Sequence, residues 1–371
     1  MPTDPPDTAV LVVSTNPGME GLVFEELQAL LKAAGRSGHS VGQVDSGIRG
    51  RVGIATRLDP AELFDMARHL RSAHHLLEPF GHFHLDPADP DPLATIRERV
   101  AAIDIPAMAD RPTFRVSCER HGEHAFTSPE VMRWAGAGII DRWDAPVDLE
   151  NHQVHLRVDV VDTLVSVTRQ HTEAALSHRF DMPVRQRVAI KPNVAWAALH
   201  LAGVDATTDV LADPFCGSGT ILLEAGHLFP ELTLWGSDLH GKAVEAARRN
   251  LDHNGLGDRA VLGRVDALDM GRWYPEASVD AMVTNPPYGH RMAPRQDFES
   301  FYDALVRQAK RVLRPGGRLA VFVEKRTAFN RAWRRAGGFR PLQARVIETS
   351  NIFPVLTVLE RTGGAADGPA A

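Results

Sequence analysis

Two short stretches of this sequence carry residues able to do chemistry together. In VTNPPYGHRM, residues 283–292, an Asn, two prolines and a Tyr follow what reads as a buried strand. Proline has no N–H for a sheet ladder, so a central strand must stop there. The stop is either an ordinary strand-ending turn or part of a site, because ligands of open α/β sheets bind beyond the carboxyl ends of strands. The second stretch, DPFCGSGTILLEAG at 213–226, places Gly217 and Gly219 where a strand gives way to a helix. Two missing Cβ atoms let the backbone turn tightly and a ligand come close. The spacing is not GxGxxG, and no Lys follows as in a Walker loop, so a phosphate cradle is disfavoured. An uncharged or zwitterionic nucleoside cofactor remains. Asp238 ends the next strand at about the 20-residue spacing where a carboxylate takes ribose hydroxyls. Asp266 ends the third strand, within reach of an adenine amino group. A lone acid at a strand end is more often a helix cap. Asp213, Asp238 and Asp266 at three successive strand ends, beside the glycine turn, point to one cofactor site. Cys216 lies in that turn and not in the 283–292 loop, so it reads as a small packing residue rather than a nucleophile.

These residues need a sheet to position them. From 191 onward, strand and helix alternate: VLADPF, TLWGSDL, AVLGRVDA, VDAMVTN and RLAVFVE, with helices such as GKAVEAARRNLDHNG between them. That rhythm implies a largely parallel, doubly wound sheet. PLQARVIE and FPVLTVLER share a short connection and suit an antiparallel hairpin at one edge. The front half reads as α+β. AVLVVST is a strand, an Asn-Pro-Gly turn opens a helix over 18–33, and VGIATR returns as a strand. Asp59 caps a helix with Pro60 at its first position. DPADPDP at 86–92 reads as a break. TFRVSCER is a strand, Ser128 is the expected N-cap of SPEVMRWAGAGIIDRW, and VHLRVDV and LVSVTR form a hairpin turning at Asp162-Thr163.

The chain has 371 residues and a net charge of −6, which argues against a domain-wide nucleic-acid footprint. Locally the balance changes. Segments 111–124 and 169–191 are basic, and form either a phosphate-facing stripe or two solvated surfaces. No apolar run reaches the roughly 18 residues of a membrane span. The first residues lack the basic and apolar regions of a signal peptide. Cys118 and Cys216 lie far apart, and no His/Cys/carboxylate set has metal-ligand spacing, so neither metal nor disulfide is expected and a cytoplasmic location fits.

DPFCGSGT, SDL, VDA and NPPY, in this order, resemble the class I S-adenosylmethionine-dependent methyltransferases. The wording DPFCGSGTILLEA is particularly like those that methylate exocyclic amines of nucleic-acid bases. The resemblance implies S-adenosyl-L-methionine as cofactor, with Asp213, Gly217 and Gly219 around its methionine portion, Asp238 at the ribose and Asp266 at the adenine. Phe215, Leu239, Ala267 and Asn285 complete the implied cofactor set. It also gives NPPY a task. An exocyclic amine is a poor nucleophile because its lone pair is delocalised, so it needs acceptors that hold its N–H groups and aim the nitrogen. The Asn285 side-chain oxygen and the Pro286 carbonyl can do this, and Tyr288 can stack on the base. His290 and Arg291 follow, with substrate contact or a surface role equally open.

FRVSCERHGEHAFTS, VDLENHQVHLRVDV and LVSVTR resemble the THUMP domain, an RNA-binding module of RNA-modifying enzymes. Residues 9–75 look like the ferredoxin-like domain that precedes it. The expected organisation is ferredoxin-like 9–75, THUMP 76–170, linker 171–190, Rossmann-like methyltransferase 191–362 with a seven-stranded sheet, and a tail at 363–371. Arg115, Arg120, Arg133, Arg169, Arg179, Arg187 and Lys191 are the candidate RNA contacts. Together these resemble the tRNA guanine-N2 methyltransferases, which implies N2-methylguanosine formation near position 6 of the acceptor stem. It also implies a THUMP domain that holds the 3′ CCA end, and a monomer. Ribosomal RNA, a D-arm guanosine, DNA adenine methylation, and a catalytically inactive RNA-binding protein are the alternatives.

Overall fold

The computed structural model describes residues 8–37, 40–186, 189–287, 297–349 and 352–363. The chain divides into two compact units, one holding residues up to Thr15 and Val23–Leu176, the other Asn16–Leu22 and the chain from Ser177 on.

The first unit contains β1 (Leu11–Ser14), most of α1 (Glu20–Ala33), β2 (Val41–Val44), β3 (Arg51–Thr56), α2 (Pro60–Ala67) and β4 (His75–His84). It continues with α3 (Pro92–Ala102), β5 (Phe114–Ser117), β6 (Arg120–His121), α4 (Ser128–Trp143), β7 (Val154–Val161) and β8 (Leu164–Gln170). All its strands join one sheet in the order β2-β3-β1-β4-β8-β7-β5, with β6 also on β7. The sheet is continuous across the boundary expected at 75/76. The ten-residue β4 pairs with β1 at one end and with β8 along its length, so no edge is left between the two halves. The expected break at 86–92 instead starts a helix. Asp91 Oδ1 accepts from Ala94 N–H at 3.1 Å and Pro92 takes the first turn of α3. Asp59 caps α2 as expected. The N-cap of α4 is Thr127, one residue before the expected Ser128, because the Glu130 side chain reaches back to the Thr127 N–H at 2.8 Å. Asp162 turns the β7–β8 hairpin with φ 51°.

The second unit contains α5 (Pro192–Ala202), β9 (Val210–Asp213), α6 (Thr220–Leu228), β10 (Thr233–Asp238), α7 (Gly241–His253), β11 (Ala260–Arg264) and β12 (Val279–Thr284). These are followed by α8 (Phe298–Val312), β13 (Leu313–Val323), α9 (Arg326–Ala336), β14 (Phe339–Val346) and β15 (Val355–Arg361). The sheet order is β11-β10-β9-β12-β13-β15-β14. The first five strands are parallel, and β15 runs antiparallel between β13 and β14. After β11 the chain returns to the other side of β9, so β9 and β12 flank the switch point where such sheets bind ligands. The runs AMV of β12 and LAVFV of β13 are apolar and buried, as cover on both faces requires.

Within the expected linker 171–190, residues 177–186 are packed onto α6 and α7 as a strap. The Phe180 ring stacks on His227 at 5.1 Å, and Asn254 Nδ2 donates to Asp181 O. The buried Asn250 side chain bonds Val184 N–H and C=O together. The segment has no periodicity to betray this, because its anchors are single side chains.

Candidate active site

The carboxyl ends of β11, β10, β9 and β12 stand in a row, neighbouring strands about 4.8 Å apart. The chain therefore brings Asp266, Asp238, the 213–219 turn and Asn285 to one edge of the sheet. Asp213 closes β9 and is 1 % exposed. Its Oδ1 accepts from Thr284 Oγ1 at 2.7 Å and from Phe215 N–H at 3.1 Å. The carboxylate thus ties the end of β9 to the end of β12, directly before Asn285. Burial pushes its pKa up to about 7, and nearby Asp238 adds to the rise against the Thr284 and Phe215 bonds.

The turn itself is held from β10. Cys216 N–H donates to Ser237 O at 2.9 Å, and Gly217 N–H to Asp238 Oδ2 at 3.2 Å. Gly217 and Gly219 have φ of 53° and 87°, which only glycine adopts without strain, and Gly219 starts α6. The Cys216 thiol is buried and pushed well above its ordinary pKa, by burial first and then by Asp213 and Asp238. It is a protonated packing group, as expected, and no nucleophile.

Asp238 receives His240 N–H on its other oxygen at 2.9 Å. Next to it Leu239 is 52 % exposed, an apolar surface at the ligand edge of the sheet. Asp266 is exposed and caps the following short 3-10 helix by accepting from Leu268 N–H, with Ala267 buried behind it. Phe215 is half-buried, its ring 6.1 Å from Phe301. Asn285 is half-buried, Pro286 buried and Pro287 exposed. Tyr288, His290 and Arg291 lie outside the described residues, as does Arg187.

Three features fit a nucleoside cofactor with an amino-acid tail. The glycine turn leaves Cβ-free space against the start of α6. Ser218 Oγ and Thr220 Oγ1 are buried there without a hydrogen-bond partner among the described residues. The exposed Leu239 offers a face for a flat ring beside the Asp238 carboxylate. Two residues of this edge escaped sequence reasoning. Thr284 was legible only as a hydroxyl ending an apolar strand. Gln186, on the strap, brings its Oε1 to 3.2 Å from where a Cβ on Gly217 would lie.

The candidate RNA contacts separate. Arg115 lies on the sheet face away from α3 and α4, whereas Arg133 is exposed on α4. Arg120 Nη1 is bonded to His124 Nδ1 at 2.8 Å, and Arg169 sits 4.0 Å from Glu78. Lys191 is exposed before α5. Arg179 departs from expectation. Its Nε donates to fully buried Glu224 at 3.0 Å and only 16 % of the side chain is exposed, so it anchors the strap. A buried carboxylate demands such a partner.

A THUMP domain model matches residues 93–168, and the model for the RMKL-like methyltransferase domain, UPF0020, matches 182–351. A tRNA (guanine(6)-N2)-methyltransferase of Thermus thermophilus is 36% identical over 352 residues, 95% of this chain and 99% of that protein. The U6 snRNA (guanine-N(2))-methyltransferase THUMPD2 of Homo sapiens is 29% identical over 215 residues, 57% of this chain and 41% of its own length. Among solved structures, TrmN from Thermus thermophilus superposes with a TM-score of 0.74 at 34% identity, covering 95% of this chain and 99% of that one.

Proposed function

Because the chain belongs to the tRNA guanine-N2 methyltransferase family and so uses S-adenosyl-L-methionine, we propose that it methylates N2 of guanosine 6 in the tRNA acceptor stem. The observation that carries this reading is the union of Asn285 and Pro286 with the glycine turn through the Thr284–Asp213 bond at the switch point.

S-adenosylmethionine, when bound, supplies a methyl group on a sulfonium, which needs no further activation. The chain's own residues position the acceptor. Asn285 Oδ1 and the Pro286 carbonyl accept from the two N2–H groups and turn the nitrogen lone pair toward the methyl carbon. Their contribution would be positioning, holding the nitrogen within reach of the methyl group. The cofactor would give up its methyl group to N2 and leave as S-adenosylhomocysteine, and the proton lost from N2 would go to water. No strong base is required. Asp238 would hold the ribose, Leu239 and Asp266 the adenine, and the 217–220 turn the amino-acid tail. A guanine within a stem must leave the stack to reach this edge.

In this reading the first unit holds the single-stranded 3′ CCA end. The protein acts as a monomer in the cytoplasm. Methyl transfer from radiolabelled S-adenosylmethionine to unmodified tRNA transcripts, with and without CCA, followed by nucleoside identification, tests it. The expected product is N2-methylguanosine at position 6, lost without CCA. Label in ribosomal RNA alone would overturn the substrate, and label elsewhere in tRNA would overturn the position.

A further inference from the structure

On β5 and β7 alternate residues face opposite ways. Phe114, Val116, Val154 and Leu156 enter the core beneath α3 and α4, while Arg115, Ser117, His155 and Arg157 share the other face. Arg115 pairs with His155 in register, Ser117 Oγ lies 2.7 Å from His155 Nε2, and the His152 ring meets His155 edge-on at 5.4 Å. Resting on the RNA-methylating reading above, we propose that Arg115, Ser117, His152 and His155 form a docking site for an RNA phosphodiester, and that filling it places a proton on His155.

The groups around His155 are nearly all basic. Burial first, then Arg115, His152, Arg157 and His75 of β4, push its pKa down to about 4. The carboxylates in the neighbourhood are engaged elsewhere. Asp159 and Glu119 bind Arg157 at 2.9 and 2.7 Å, Asp159 also binds Arg51, and Asp148, which faces His152, accepts from Glu150 and Asn151 N–H. Among the described residues no carboxylate lies within ion-pair reach of Arg115. His152 Nδ1 is buried without a hydrogen-bond partner among the described residues. An imidazole that stays unprotonated beside Arg115 and Arg157, as His155 does, will take up a proton when an anion arrives. A phosphodiester supplies the charge, Arg115 its fork, and the imidazoles short donors. Affinity must then rise as pH falls, toward a limit of about tenfold per pH unit for one proton.

Full-length protein carrying 13C-labelled histidine would be titrated by NMR alone, with inorganic phosphate, and with a short single-stranded oligoribonucleotide, His155→Gln assigning the resonance. The expected result is a His155 midpoint at least one pH unit higher with RNA, no such rise in Arg115→Gln, and RNA binding that strengthens from pH 7 to 5 except in His155→Gln. A midpoint unmoved by saturating RNA, or an unchanged pH slope in His155→Gln, would overturn the site. Inorganic phosphate acting as strongly as the oligonucleotide would overturn its assignment to RNA. The two readings fail separately: methylated tRNA with a static His155 sinks this inference alone, and a responsive His155 with unmethylated tRNA sinks only the proposed function.

Discussion

Asp213→Asn is expected to strengthen the fold above neutrality and weaken cofactor binding at once. The carboxyl is 1 % exposed, and burial raises its pKa from 3.8 to about 7. A raised acid is an advantage of the folded state that is complete below about pH 4 and is lost as pH climbs to about 7. At about 1.4 kcal/mol per tenfold change in proton affinity, the loss reaches about 4 kcal/mol by pH 8 and about 1.5 at pH 5. These are upper bounds, since the site relaxes on ionisation. Asparagine keeps an oxygen for Thr284 and Phe215 and never ionises. Its added N–H2 costs about 1–3 kcal/mol if unpartnered, equally at both pH values. The stability gap between variant and wild type should therefore move by up to about 2.5 kcal/mol in the variant's favour from pH 5 to 8. Urea unfolding at the two pH values measures that gap. Calorimetry with S-adenosylhomocysteine should show affinity reduced about tenfold or more, the worth of one hydrogen bond to a charged group. Wild-type affinity should rise as pH passes 7, because the ionised carboxylate meets the ligand's ammonium. A stability gap independent of pH would refute the reasoning, since Asp213 would then not be a desolvated acid.

Asn285→Ala should lower kcat about 10²–10³-fold with S-adenosylhomocysteine affinity within a few-fold of wild type, read by single-turnover transfer and calorimetry; loss of cofactor binding would make Asn285 structural. Gly219→Ala, at φ 87°, should cost about 1–2 kcal/mol in urea unfolding, because its Cβ has room against Ala247 and backbone strain is the main penalty. Arg179→Ala should destabilise the protein by about 1–3 kcal/mol by removing one hydrogen-bonded partner of the buried Glu224, whereas a phosphate-facing arginine would lower only RNA affinity.

The methyltransferase sheet was legible because buried parallel strands write themselves as apolar runs, and the glycine turn because φ of 53° and 87° admits little else. The acids at the ends of β10 and β11 and the antiparallel β14–β15 pair followed from spacing. What stayed hidden was settled by tertiary packing. β4 serves two halves at once, which no local pattern records. The prolines of 86–92 read as a break, although one of them begins α3. The strap 177–186 is held by single anchors such as Asn250 and Glu224. Segments 111–124 and 169–191 read from sequence as either a phosphate-facing stripe or two solvated surfaces, and only packing shows that Arg179 of the second turns inward to Glu224.

The place of β15 sets a timetable for synthesis. β13 ends at Val323, and its antiparallel neighbour begins only at Val355 and ends at Arg361. At about 5–20 residues per second, the ribosome needs about 2–8 seconds to make those nearly 40 residues. Until they emerge, the run LAVFV of β13 stands as an unpaired apolar edge, the kind of surface that invites wrong strand pairing. The nascent enzyme is thus most exposed to aggregation, and most in need of chaperone cover, after its cofactor turn and NPP loop have already been made.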